Sequence, residues 1–157
     1  MKIALLFLAL VSCSYARLGE GREELVTRLG SVQSESQHFM TAQGQITALG
    51  PALFFKKDQW RIQCSMVDGH CASIAYSKTG DWTAEQIAII LDNNAQGGKW
   101  TERRDSTKMV RSWTRKDGGS ATWKFTGAIE LTSPAYFAAS ARREAELKAK
   151  AEKKPEL

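Results

Sequence analysis

Asp68-Gly69 stands between two apolar runs, WRIQCSMV before it and HCASIAY after it, and no other feature limits so strongly what this chain can become. Glycine takes a positive φ without steric cost and aspartate tolerates one, so the dipeptide folds a strand back on itself. Register then follows from burial. A two-residue loop sets Met66 opposite Cys71 and Ile62 opposite Ala75, and leaves Ile74 and Tyr76 facing solvent. A three-residue loop of Val67, Asp68 and Gly69, with Gly69 as the bulge residue, pairs Trp60 with Tyr76, Ile62 with Ile74 and Cys64 with Ala72. That register gathers the large apolar residues on one face, and it is the one expected. It sends Cys64 inward and Cys71 outward, which excludes a disulfide between them.

The first sixteen residues carry one lysine, an apolar run from Ile3 to Val11, and the small residues Ser14 and Ala16 around Tyr15. This order of charge, apolar run and small residues reads as a secretory signal peptide over 1–16, too short to span a bilayer. Leu10-Val11-Ser12-Cys13 offers a second export route, because it resembles the bacterial lipobox, in which the cysteine is acylated and becomes the new N-terminus. Both routes place the protein in the periplasm or outside the cell, with membrane attachment only through a lipidated Cys13. Export removes nucleic acid as a partner, and the net charge of +5 gathers on no single face.

The remaining chain predicts one α+β domain over 17–140, built from two helix plus antiparallel β-meander modules, 17–79 and 80–132. Arg22 to Leu29 has Leu25, Val26 and Leu29 on one side and stops at Gly30. Residues 31–51 are polar and weakly patterned, an irregular connection with a strand near Gln45 to Leu49; Ala52 to Lys57 is a strand that turns at Asp58-Gln59 into the hairpin. Thr83 and Gln86 form a capping box, with Trp82 before it as a staple and Ile87, Ile90 and Leu91 along one stripe. Strands over Met109 to Arg115 and Gly119 to Phe125 reverse at Lys116-Asp117-Gly118, pairing Arg111 with Trp123 and Trp113 with Ala121, and Ile129 to Thr132 adds a third. Superposing the two Asp-Gly turns suggests a duplicated module. Ser133-Pro134 opens a C-terminal helix with serine as cap, and its charged stretch over 141–157 runs into solvent.

With these elements placed, the leader, Leu18-Gly19-Glu20-Gly21, Asp68-Gly69-His70-Cys71-Ala72 and the Trp113 to Ala121 segment together resemble a group of uncharacterised exported bacterial proteins. The layout is similar to the SmpA/OmlA small outer-membrane lipoproteins and to the tandem-repeat β-lactamase inhibitor protein. The resemblance implies action by protein–protein contact. It brings no functional residue with it.

Chemistry-bearing constellations are sparse. Cys71 beside His70 is the nearest approach to a nucleophile and base, yet neighbours on a strand point to opposite faces. Cys64, His70 and Cys71 lack the spacing of a metal site, and no cofactor motif occurs. The stretch KWTERRDSTKMVRSWTRKDGG interleaves Trp100 and Trp113 with Arg103, Arg104, Arg111 and Arg115, which on a sheet face would bind an anionic glycan, a lipid headgroup or an acidic protein patch. The competing account makes the tryptophans core and the arginines solvated. The leading expectation is a non-enzymatic exported module that binds a protein or an anionic envelope component through these six residues. Two alternatives stay open: a small hydrolase using Cys71 and His70, and a structural outer-membrane lipoprotein anchored at Cys13.

Overall fold

A computed structural model describes residues 15–42 and 44–152. Residues 1–14 of the expected leader, Cys13 among them, lie outside the described residues. Helix α1 spans Arg22–Leu29, with the carboxylate of Glu24 accepting the Gly21 N–H at 2.7 Å and Leu25 and Leu29 buried. Four strands follow, β1 (Ser34–Ala42), β2 (Gln45–Lys57), β3 (Trp60–Val67) and β4 (His70–Ser77). Helix α2 (Ala84–Asn93) starts on the expected capping box, Thr83 Oγ1 accepting from the Gln86 N–H and Gln86 Oε1 from the Thr83 N–H, both at 3.1 Å. Strands β5 (Thr101–Glu102), β6 (Val110–Thr114), β7 (Ser120–Lys124) and β8 (Ala128–Thr132) lead to α3 (Pro134–Glu152).

The two-module layout is corrected by the sheet itself. All eight strands form one antiparallel sheet in the order β1-β2-β3-β4-β8-β7-β6-β5. Each run of four strands is a meander, and the last strands of the two runs pair with one another, Ile74 opposite Leu131 and Tyr76 opposite Ile129. Left apart, β4 and β8 would each expose an unpaired edge carrying large apolar residues. Joined, they bury two continuous rows on the inner face: Leu53, Cys64, Ile74, Leu131, Ala121 and Trp113 in one, and Phe55, Ile62, Tyr76, Ile129 and Trp123 in the other. Leu25 and Leu29 of α1 and Ile87, Ile90 and Leu91 of α2 complete this single core.

The central hairpin differs from the expected register. Asp68 and Gly69 have φ of 50° and 82°, the signature of a two-residue type I′ turn, and Val67 pairs with His70. Met66 then faces Cys71, while Ser65 faces Ser73, so Ala72 is an extra residue in β4. This bulge sends Ala72 and Ser73 to the outer side and returns Ile74 and Tyr76 to the core. Cys71 is therefore buried, not outward, and both it and Cys64 are free thiols. The second hairpin holds the expected register, Arg111 opposite Trp123 and Trp113 opposite Ala121.

Two further local readings are corrected. Ser34–Ala42, read as irregular, is an edge strand whose mostly exposed residues give no apolar alternation; pairing with β2 defines it. Ser133 does not cap α3, and its buried hydroxyl makes no hydrogen bond; its backbone N–H donates to Ala72 O instead. Helix α3 crosses the outer face over β1 to β4, with Ala139 packed on Val67 and Ala72.

Candidate functional site

Helices α1 and α2 cover the inner face, whereas α3 covers the outer face only at the end of the sheet that carries the Asp68-Gly69 turn. The opposite end of the outer face is open. Strand alternation sets a cross-strand row there: Lys56, Arg61, Ser77, Ala128, Lys124 and Val110, each opposite the next. Lys56, Arg61 and Lys124 are exposed, and none has an ion-pair partner among the described residues. Neighbouring strands lie about 4.8 Å apart, which puts Lys56 and Arg61 side by side and Lys124 about 14 Å beyond. Ser77 and Ala128 between them are too small to fill the surface.

Inward of this row the surface dips. A cavity of about 340 Å³ is lined by Phe54, Lys56, Arg61, Gln63, Ala75 and Ser77. A second, of about 360 Å³, shares Lys56, Arg61 and Ser77 and extends toward Lys78, with Asp58 the acidic group at its rim. The floor is thus half-buried aromatic and small, and the walls are cationic with hydroxyl and amide groups. On the same face Glu130 stands opposite Ala75 and Thr122. Such a surface offers several cation donors, each positioned by a strand, to an anionic ligand.

The six residues expected from sequence form no such surface. Trp113 is buried, and Arg111 lies over its ring at 5.0 Å while holding Glu102 through two hydrogen bonds of 2.9 and 2.7 Å. Arg103 makes a two-bond pair with Asp105 at 2.9 and 2.8 Å. Arg115 is buried, stacked on the half-buried Trp100 at 4.9 Å and paired with Asp117. Trp100 donates its indole N–H to Leu91 O at 2.8 Å. The carboxyls of Glu102, Asp105 and Asp117 are held below the usual carboxylate range, in each case chiefly by the hydrogen bond from its arginine. Arg104 alone among the six is exposed with no ion pair among the described residues. Structure brings Arg111 to Trp113 and Arg115 to Trp100 as internal stacks. The open row was missed because Lys124 joins the Lys56–Arg61 pair only through the long-range pairing of β4 with β8.

Cys71 and His70 do not meet as a nucleophile and base. Cys71 is 1% exposed and its thiol is pushed well above its ordinary value, first by burial and then by the hydrogen-bonded Cys64. His70 is exposed, with Nδ1 3.1 Å from the Gly19 carbonyl, so its ring donates there. On the outer face a different histidine is engaged: His38 Nε2 lies 2.6 Å from Tyr136 Oη, and Nδ1 3.1 Å from Ser65 Oγ. Among the described residues no group of three or more His, Cys, Asp or Glu is placed to hold a metal ion.

No family model and no curated protein matches the chain. Two solved structures are similar in part. One is a cysteine-rich secretory protein from Staphylococcus aureus subsp. aureus Mu50, at 9% identity and a TM-score of 0.46, covering 77% of this chain and 46% of that one. The other is an extracellular protein containing a SCP domain from Bacillus anthracis str. Ames, at 9% identity and a TM-score of 0.40, covering 78% and 46%. The chain thus spans about half the length of each. No helix among the described residues is long and apolar enough to cross a membrane.

Proposed function

We propose that this protein is a non-enzymatic exported module that binds a phosphate-bearing component of the cell envelope on the open end of its outer sheet face. One observation carries the reading: Lys56, Arg61 and Lys124 share a row and stay unpaired among the described residues, and Lys56 and Arg61 border a groove floored by Phe54. Unpaired cations meet an anion without giving up an existing partner, whereas Arg103, Arg111 and Arg115 would first have to release a carboxylate. A catalytic reading lacks its parts, because Cys71 is buried with its thiol protonated.

The test is co-sedimentation with phosphatidylglycerol vesicles, with phosphatidylcholine vesicles as the neutral control and soluble polyphosphate as competitor. A basic side chain near an anionic surface contributes about 1 kcal/mol, so replacing all three cations by glutamate should weaken binding by about 100-fold or more. Reversal at Arg103 and Arg104 should leave it within about threefold. Equal binding by the triple variant and the native protein discards this face; competition by polyphosphate identifies phosphate, not the bilayer, as what is recognised.

A further inference from the structure

The N-terminal segment bears on where an export leader is removed, a question that rests on the export reading above. Tyr15 packs edge-on against both Trp60 and Tyr76, at centroid distances of 6.4 and 6.3 Å. Ala16 is fully buried. Its carbonyl accepts two hydrogen bonds from the core, from Tyr76 Oη at 2.7 Å and from Asn94 Nδ2 at 3.3 Å. The strap continues past it: the Leu18 N–H donates to Asn94 Oδ1 at 2.8 Å, the Leu18 carbonyl accepts from Gln96 Nε2 at 2.8 Å, and the Gly19 N–H donates to Cys71 O at 2.8 Å. Asn94 is itself fully buried, and Tyr15 to Leu18 close one side of the core over β3, β4 and the end of α2.

We infer that processing cuts this chain on the N-terminal side of Tyr15, so that Tyr15 and Ala16 belong to the mature fold. Cleavage between Ala16 and Arg17, the bond that the small-residue pattern marks, would remove an aromatic ring and a methyl group from the core. It would also take the acceptor from two buried donors and put a charged amine in its place. Buried donors without acceptors are strongly unfavourable, and the Glu20 carboxylate that the Arg17 N–H already reaches at 3.0 Å would pair the new amine without replacing the lost acceptor. The Ser12-Cys13 bond of the Leu10 to Cys13 motif meets the requirement, and the Ala16-Arg17 bond does not.

Mass mapping of the N-terminus decides it, on the full chain produced with its own leader and recovered from the exported fraction. A first residue at or before Tyr15, downstream of Met1, is expected. Arg17 as first residue overturns the inference while leaving export intact, and a chain still beginning at Met1 sinks both. An independent measurement compares chains fused to a foreign leader so that they begin at Ser14 or at Arg17. The shorter chain should melt on the order of 5–10 °C lower, and equal melting temperatures would show the strap to be dispensable.

Discussion

Arg115 Nη1 donates to the carbonyl oxygen of Asn94 at 2.6 Å, tying the β6–β7 turn to the end of α2. The same guanidinium donates to Gln96 Oε1 at 2.9 Å and to both Asp117 oxygens at 3.0 and 2.7 Å, with Trp100 beneath it. Its side chain is 1% exposed, so every one of these bonds replaces water. Removing one member of a buried charged network costs about 3–5 kcal/mol. Arg115→Ala should therefore lower stability to urea by about 3 kcal/mol, the lower end because Asp117 is half exposed. Arg115→Lys should recover little, since an ammonium cannot reproduce the planar fork.

The backbone at Gly119 makes room for that guanidinium. A Cβ added there would meet Arg115 Nη2 at 2.8 Å and Nε at 2.9 Å. Gly119→Ala should accordingly expel the side chain and cost nearly as much as Arg115→Ala. The double variant should be far less destabilised than the sum of the two, because both remove one interaction. Additive losses in the urea midpoints would show that Gly119 serves something other than this contact.

Acidification should act partly through the same turn. The Asp117 carboxyl is held below its ordinary value of 3.8, first by the hydrogen bond from Arg115 and next by the Gly119 N–H. A depressed folded-state pKa adds stability that is fully present above the unfolded value and is lost as pH falls through the folded one. The contribution should thus be constant from neutrality to about pH 4 and fade below it. Asp117→Asn should flatten the stability profile in that acid range, and an unchanged profile would remove Asp117 from the account.

How much of this was readable beforehand depends on how local each signal is. The Thr83–Gln86 box lies within four residues, and the Trp113–Ala121 pairing crosses one short turn; both were legible. The bulge at Ala72 was not, since nothing in HCASIAY marks which residue is extra; the pattern looks wrong in the two-residue register only because one residue is unpaired. Joining β4 to β8 spans more than fifty residues and leaves no local trace. The open row was hidden for the same reason: Arg103, Arg111 and Arg115 cluster in sequence with Asp105, Glu102 and Asp117, which neutralise them, while Lys124 reaches the Lys56–Arg61 hairpin pair only through the long-range joining of β4 and β8.

Thiol chemistry separates the binding reading from a hydrolase. Burial keeps Cys71 protonated at neutral pH, and Cys64 is equally hidden. Alkylation of these two cysteines, mapped by mass spectrometry, should proceed only through opening of the fold and rise steeply in urea as global stability falls. Rapid labelling of Cys71 in the native protein would restore it as a nucleophile.

Docking of α3 rests on a polar clamp as well as on Ala139. Burial, and then the charge of Glu130, raise the Tyr136 phenol above its ordinary value, so it stays neutral and hydrogen-bonds His38 Nε2 at 2.6 Å while His38 Nδ1 meets Ser65. Either ring tautomer satisfies both hydroxyls, because each can donate or accept. Tyr136→Phe removes one such bond, worth about 1 kcal/mol, and should speed hydrogen exchange of the α3 amides about fivefold with no change in β6 to β8. His38→Phe removes both bonds and leaves Ser65 Oγ, in a residue only 4% exposed, without its partner. Its effect on α3 should exceed that of Tyr136→Phe, and exchange rates indifferent to both changes would mean that apolar packing alone holds the helix on the sheet.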